Sequence, residues 1–326
     1  IVNELVARAE GGDLEELEIL TALSLNPPRA PEELAERLMG PVMERLYGDY
    51  TELDYVTMRA EGTLPDNVTI REFYYPPGSL IGNEHAQQNH QSVNFTHVLR
   101  EILDRDVDLV TQLVAPCDDG YDLGGNTDLS LDVYDEFVRR REAGEPAAML
   151  VAQTNRKLPR MGGGAVVDRT TFDVVLDEPT YDFEPFGLPK MPPTDAEYAI
   201  GLHASTLIKD GGTIQVGIGS VGHAICWALG KRHHENETYR ALVDDLEMTK
   251  ETRDLVDRVG GIDPLDEGLY AATEMLVEGL LELYDDGILH RRVVDDAALQ
   301  RAIDDGRFGY GVEMDMLDFL VDRDVI

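Results

Sequence analysis

A chain of 326 residues, 43% hydrophobic and 28% charged, is long enough for two domains with buried cores and too apolar for a disordered protein. Acidic residues outnumber basic ones 64 to 28, for a formal charge of −36, a field that repels nucleic acid and anionic membrane and excludes both as partners. No uncharged apolar run reaches the roughly 18 residues of a membrane span, and residues 1–10 lack the zones of a secretory signal, so a cytoplasmic protein is expected. Ile1 stands where an initiator Met would, which implies a start further upstream. The carboxylates are spread along the chain and only five basic residues are lysines. That pattern fits a halophilic protein, whose dense acidic surface stays hydrated in concentrated salt, more closely than an ordinary acidic enzyme. Cys117 and Cys226 are too few and too far apart for a disulfide framework or a zinc site, and reduced thiols are expected.

In chain order, short apolar β-branched runs fall at Leu17–Leu23, Val68–Tyr75, Val107–Ala115, Ala148–Gln153 and Phe172–Leu176. Helical periodicity separates them, over Asn94–Asp104 and over Ser130–Glu142, the latter stopped by Gly144. This alternation predicts an α/β fold with largely parallel strands. A Pro/Gly-rich stretch, Glu184 to Pro193, reads as an extended linker. Thr194 and Glu197 then have capping-box spacing and open a helix to about Lys209, stopped at Asp210-Gly211-Gly212 before a strand at Thr213–Val216. The expected organisation is a first domain over residues 1–185, a linker over 186–193 and a second domain over 194–326. A helix opens the chain with no strand before it, and Leu317–Ile326 is apolar with no partner after it. Both ends therefore read as cut, and the second domain as truncated.

Gly217-Ile-Gly219-Ser-Val-Gly222 lies between that strand and a helix starting near Val221. Alone it matches a dinucleotide fingerprint, and a nicotinamide-dependent oxidoreductase is one reading. A second strand ending in an acidic residue about 20 positions on is needed for that, and the interval instead reads as helix, polar loop and helix. A glycine loop approaching another ligand or backbone closely fits better. His233-His234-Glu235 has the wrong order for a zinc helix and reads as a solvated loop. His85, His90 and His97 are too irregularly spaced for a metal site, and their polar stretch reads either as a ligand-bonding loop or as plain surface. The Asp-rich run Asp118–Asp128 lacks calcium-loop order, so no metal site is expected. Further on, a short strand at Leu269–Ala272 runs into Thr273-Glu274, and an amphipathic helix follows, with Met275, Leu276, Leu280 and Leu283 on one face and Gly287 at its end. Glu274 would then sit where a strand meets a helix N-terminus, on the ligand side of an α/β sheet. By pattern alone it is either a nucleophile or a residue that stabilises a first helical turn.

Gln91-Ser-Val-Asn-Phe-Thr-His97, Gln153-Thr-Asn-Arg-Lys-Leu-Pro-Arg160, Ala199-Ile-Gly-Leu-His203, Asp210-Gly-Gly-Thr-Ile-Gln-Val-Gly-Ile-Gly219 and Ala272-Thr-Glu-Met275 together resemble the acetyl-CoA hydrolase/transferase family. That family includes acetate, succinate and 4-hydroxybutyrate CoA-transferases. The resemblance implies two CoA-transferase-type α/β domains with the site between them, and it makes Glu274 the nucleophile. Gly217, Gly219 and Gly222 would line the site, and Asn94, Asn155 and Arg160 would contact substrate or CoA. It implies acyl exchange between acyl-CoA and a carboxylate through a glutamyl-CoA thioester, or hydrolysis where water intercepts an intermediate. CoA is then a substrate, no other cofactor is needed, and a homo-oligomer is expected. A non-catalytic CoA-binding protein is the competing class. Two departures stand out. The Gly-x-Gly-Gly oxyanion loop of the family is expected beyond residue 326, and Ser220-Val-Gly-His223 replaces the family's Ile-Pro-Asp, leaving acyl specificity open.

Overall fold

The computed structural model of the chain describes residues 1–28, 32–48, 50–125, 127, 129–186, 191–273, 275–294, 296–311, 315–316 and 319. Its contacts cluster into two units, Ile1–Pro189 and Lys190–Ile326. The first contains α1 (Val2–Glu10), β1 (Leu17–Thr21), α2 (Glu33–Tyr47), α3 (Asp54–Glu61), β2 (Val68–Glu72), α4 (Glu84–Asn89) and α5 (Phe95–Leu103). It continues with β3 (Leu109–Pro116), β4 (Tyr121–Asp122), α6 (Ser130–Ala143), β5 (Met149–Thr154), β6 (Val166–Val167) and β7 (Val174–Leu176).

Strands β1 and β2 pair in parallel, Leu17 opposite Val68 and Thr21 opposite Glu72. Alternation turns Val68, Ile70 and Glu72 of β2 inward, and Ile70 packs with Val6 and Tyr55. The larger sheet has the order β6-β4-β3-β5-β7. Strands β3, β5 and β7 are parallel, and β4 and β6 add antiparallel to the other edge. The parallel strands follow the predicted alternation. The antiparallel pair does not, because two residues are too few to leave a periodic pattern. In β5, Leu150, Val151 and Ala152 are all buried, as befits a central strand covered on both faces. Helix α6 lays Val133, Tyr134 and Phe137 on it, together with Phe172, and Gly144 ends the helix in the left-handed region at φ 71°.

The second unit contains α7 (Asp195–Thr206), β8 (Thr213–Gln215), α8 (Ser220–His234), α9 (Asn236–Asp245), α10 (Lys250–Val259), β9 (Tyr270–Ala272), α11 (Glu278–Asp285) and α12 (Ala297–Asp304). The capping box forms as spaced: Thr194 accepts from the Glu197 amide, and the Glu197 carboxylate accepts from the Thr194 amide. Helices α7 and α8 cross so closely that a Cβ on Gly201 would sit 2.5 Å from the Ala224 carbonyl oxygen. Leu229, Leu265, Leu269, Leu283 and Ile288 are fully buried around β8 and β9, each side chain contributing about 1.5–3 kcal/mol.

Two local expectations fail. His233 and His234 form the last turn of α8, and Glu235 alone separates it from α9, so no polar loop exists there. The amphipathic helix after β9 starts only at Glu278, so Met275 and Leu276 precede it. The chain is an α/β protein with mostly parallel strands. Among the described residues no helix is long and apolar enough to cross a membrane.

Candidate active site

One carboxylate sets the register of the second unit's strand pair. Asp210 accepts from the amides of Glu267 at 2.9 Å and Gly268 at 3.0 Å, and from its neighbour Gly211 at 3.0 Å. Gly211 and Gly268 both have positive φ, 73° and 76°, which lets the chain turn from this clamp into β8 and β9. The strands then run in parallel, with Thr213, Ile214 and Gln215 opposite Tyr270, Ala271 and Ala272. They emerge level at their carboxyl ends, where ligands meet α/β sheets. There the Thr273 hydroxyl lies 3.1 Å from the Val216 carbonyl oxygen and 2.7 Å from that of Met275. Its one proton ties the start of the glycine loop to the residues flanking Glu274. Glu274 itself lies outside the described residues.

The loop is shaped by its glycines. Gly219, at φ 132° and ψ 171°, holds a conformation essentially reserved for glycine. Among the described residues a Cβ on Gly217 or Gly219 would meet no atom within 4 Å. Gly222 is different: its Cβ would fall 2.4 Å from the Gly217 carbonyl oxygen, so any side chain would push α8 off the loop. The helix begins with no side-chain cap, leaving its first amides and the positive end of its dipole at the loop. The Ser220 hydroxyl turns away and donates to the Glu197 carboxylate. That bond, followed by those from Thr194, holds the Glu197 carboxyl below the usual range. From α8 the chain enters α9 and α10, and the next strand, β9, begins only at Tyr270, which is not the βαβ spacing of a dinucleotide site. Nearby, burial first and Glu282 next push the Cys226 thiol up to about 12, so it offers no thiolate at neutral pH.

The other candidates belong to the first unit. Asn94 caps α5, its side chain accepting from the Thr96 amide at 3.0 Å and hydroxyl at 2.8 Å. Asn155 is fully buried after β5, donating to the Phe183 carbonyl and accepting from the Lys157 amide. Arg160 is exposed on the same loop. Sequence reasoning missed what holds that loop. Asp122, buried in β4, accepts from the amides of Gly124 and Gly162 at 2.8 Å and of Met161 at 3.0 Å. Burial alone would raise its carboxyl, but the three amides outweigh it and hold it below the usual range. Asp122-Leu-Gly124 has the spacing of an Asx turn, the one signal available. His85 sits on α4, its Nε2 accepting from the Ile70 amide at 3.1 Å, and His90 bridges to β2 at Glu72. His97 is exposed on α5. Among the described residues no group of three metal-ligating side chains forms.

No family model matches the chain. Over 98 residues it is 32% identical to the 4-hydroxybutyrate coenzyme A transferase of Clostridium kluyveri. Over 140 residues it is 31% identical to the succinyl-CoA:cyclohexane-1-carboxylate CoA transferase of Geobacter metallireducens. The chain resembles CoA-transferases. These stretches cover 29% and 42% of this chain but only 21% and 29% of those proteins. Its fold is similar to RipA from Yersinia pestis, with a TM-score of 0.53 at 17% identity over 88% of this chain and 52% of that one. The likeness to CoA-transferases that the motifs suggest is therefore found independently in curated sequences.

Proposed function

We propose that the chain forms part of an acyl-CoA:carboxylate CoA-transferase, or of an acyl-CoA hydrolase, that works through a glutamyl-CoA thioester on Glu274. The observation that carries this reading is the bond from Thr273 to the Val216 carbonyl, which joins the glycine loop to the segment holding Glu274. The Glu274 carboxylate attacks the thioester carbonyl of acyl-CoA and expels the CoA thiolate, leaving an acyl-glutamyl anhydride. The thiolate then attacks the glutamyl carbonyl and releases the acyl group as a free carboxylate. An acceptor carboxylate opens the resulting glutamyl thioester and takes CoA by the same steps in reverse. Water in place of the acceptor gives hydrolysis. In this reading the positive end of the α8 dipole helps to stabilise the oxyanions of these steps. On the same reading Asn94 and Arg160 contact substrate or CoA, and Asn155, buried and bonded within the chain, supports the loop that carries Arg160. Residues 1–185 and 194–326 are the two domains, and CoA is substrate with no further cofactor. The protein is a cytoplasmic homo-oligomer adapted to high salt.

Incubation of the protein with acyl-CoA should leave a CoA adduct, trapped by borohydride or hydroxylamine, on the peptide Ala271–Glu278. Glu274→Gln should lower exchange by about 10³-fold or more without loss of fold, whereas Glu278→Gln, at the exposed start of α11, should change little. An adduct on Glu278, or full activity in the Glu274 variant, would overturn the assignment. CoA binding without exchange in the unaltered protein would point instead to a non-catalytic CoA-binding protein.

A further inference from the structure

The glycine loop has too few side chains to hold itself. Gly217, Gly219 and Gly222 each lose more backbone freedom on ordering than any other residue would, and among the described residues nothing packs where a Cβ of Gly217 or Gly219 would sit. Its strand end is fixed by Thr273 on the Val216 carbonyl. The helix end needs a separate anchor. In a capping box the glutamate serves its own helix, and one oxygen suffices for that: Glu197 Oε2 takes both the Thr194 amide, at 2.7 Å, and its hydroxyl, at 2.9 Å. The other oxygen, Oε1, accepts the hydroxyl of Ser220, 23 residues away at the first position of α8. Ser220 therefore does not cap its own helix. It ties the loop to the start of α7, and α7 is itself locked against α8 at Gly201 and Ala224.

We infer that Glu197 is a positioning residue for the glycine loop, acting through Ser220 to hold the loop and the uncapped start of α8 at the carboxyl ends of β8 and β9. The role rests on the transferase reading, because the loop matters to chemistry only if acyl-CoA is processed there. It also gives the departure at Ser220-Val-Gly-His223 a purpose. The serine supplies the side chain by which this loop is fastened.

Ser220→Ala removes the tie and leaves the capping box whole. In the intact protein it should leave the melting temperature nearly unchanged, yet speed amide hydrogen exchange over residues 216–222 by about 5-fold or more, as expected for loss of one bond worth about 1 kcal/mol. Acyl exchange should fall by about 10-fold in kcat with little change in KM, since a small misplacement of a site costs rate steeply. Ser220→Thr, which keeps the hydroxyl, should restore both. Glu197→Ala should lower the melting temperature through the lost cap, but in the Ser220→Ala background it should cost no further kcat, as for two residues acting through one contact. Unchanged loop protection in Ser220→Ala would overturn the anchor, whatever the activity. Fast loop exchange with unchanged kcat would overturn the positioning role alone. Absence of acyl exchange in the unaltered protein would sink the transferase reading and the positioning role with it, while loop protection would still decide the anchor.

Discussion

The two short parallel strand pairs of this chain finish in opposite ways. Beyond β1 and β2 the carboxyl end is filled by side chains. Glu72 is fully buried and ion-paired to the equally buried Arg59, whose guanidinium lies 5.5 Å from the centre of the Tyr75 ring. Tyr75 in turn meets the His90 ring at 5.4 Å, and Ser24 bonds the Tyr55 hydroxyl at 2.6 Å. Beyond β8 stand Gly217 and Gly219, where a Cβ would meet no atom of the described residues within 4 Å. The parallel pairing is alike in both, but one end is spent on holding the unit together, while the other, among the described residues, carries glycines without packed neighbours. In an α/β fold the carboxyl end of a strand is therefore only an opportunity for a site, and side-chain volume decides whether it is taken.

The sharpest way to break this contrast is at the sealed end. Glu72→Ala leaves the Arg59 charge buried without its partner and should destabilise the protein by about 3–5 kcal/mol, read as a large fall in melting temperature. A shift no larger than that of a surface variant would show that this end is not sealed by the pair. At the open end, Gly219→Ala should cost about 1–3 kcal/mol of strain, because φ 132° suits glycine, and acyl exchange should fall far more than stability. Equal losses of both would make the two ends alike.

A smaller effect belongs to His85. Burial first and Arg59 next hold its pKa below the ordinary 6.5, so the folded state binds fewer protons than the unfolded one. Its stabilising contribution is complete above about 6.5 and is lost as the pH falls from there through the folded value. Protonation would also remove the acceptor used by the Ile70 amide. The melting temperature should therefore decline below pH 6.5, with a shallower slope in His85→Asn, and parallel curves would place the titration elsewhere. The smallest effect expected per group is that of salt. With 36 excess negative charges screened by added ions, the melting temperature should rise from low salt to molar potassium chloride, and a flat curve would remove the high-salt reading.

What could be read in the sequence was what is local. The capping box at Thr194 and Glu197, the stop at Gly144 and the turn at Asp210-Gly211-Gly212 all rest on residues within a few positions of one another. The β-branched runs likewise gave strands β1, β2, β3, β5, β7 and β8 to within a few residues of their ends. What escaped depends on distance. Nothing near Glu197 announces that its second oxygen reaches Ser220, and nothing near Asp122 announces amides 39 and 40 residues on. Glu72 lies inside the run Val68–Tyr75, and only Arg59, 13 residues earlier, explains its burial. The stretch holding His85 reads equally as ligand loop or plain surface, because the Ile70 amide on the edge of β2, which takes the His85 ring, is invisible in that stretch.

The Asp210 clamp has a consequence for how this chain can vary. It measures out both strands from one fixed point, three residues each, before the loop and Thr273 begin. Adding one residue between Gly268 and Thr273 would carry Thr273 about 3.3 Å past Val216 and turn it to the other face. The helices α9 and α10, which lie between the two strands in the chain, are under no such rule. The connection between them, residues 246–249, takes no bond from the clamp, so insertions there should be tolerated better than in the two short runs that lead away from it.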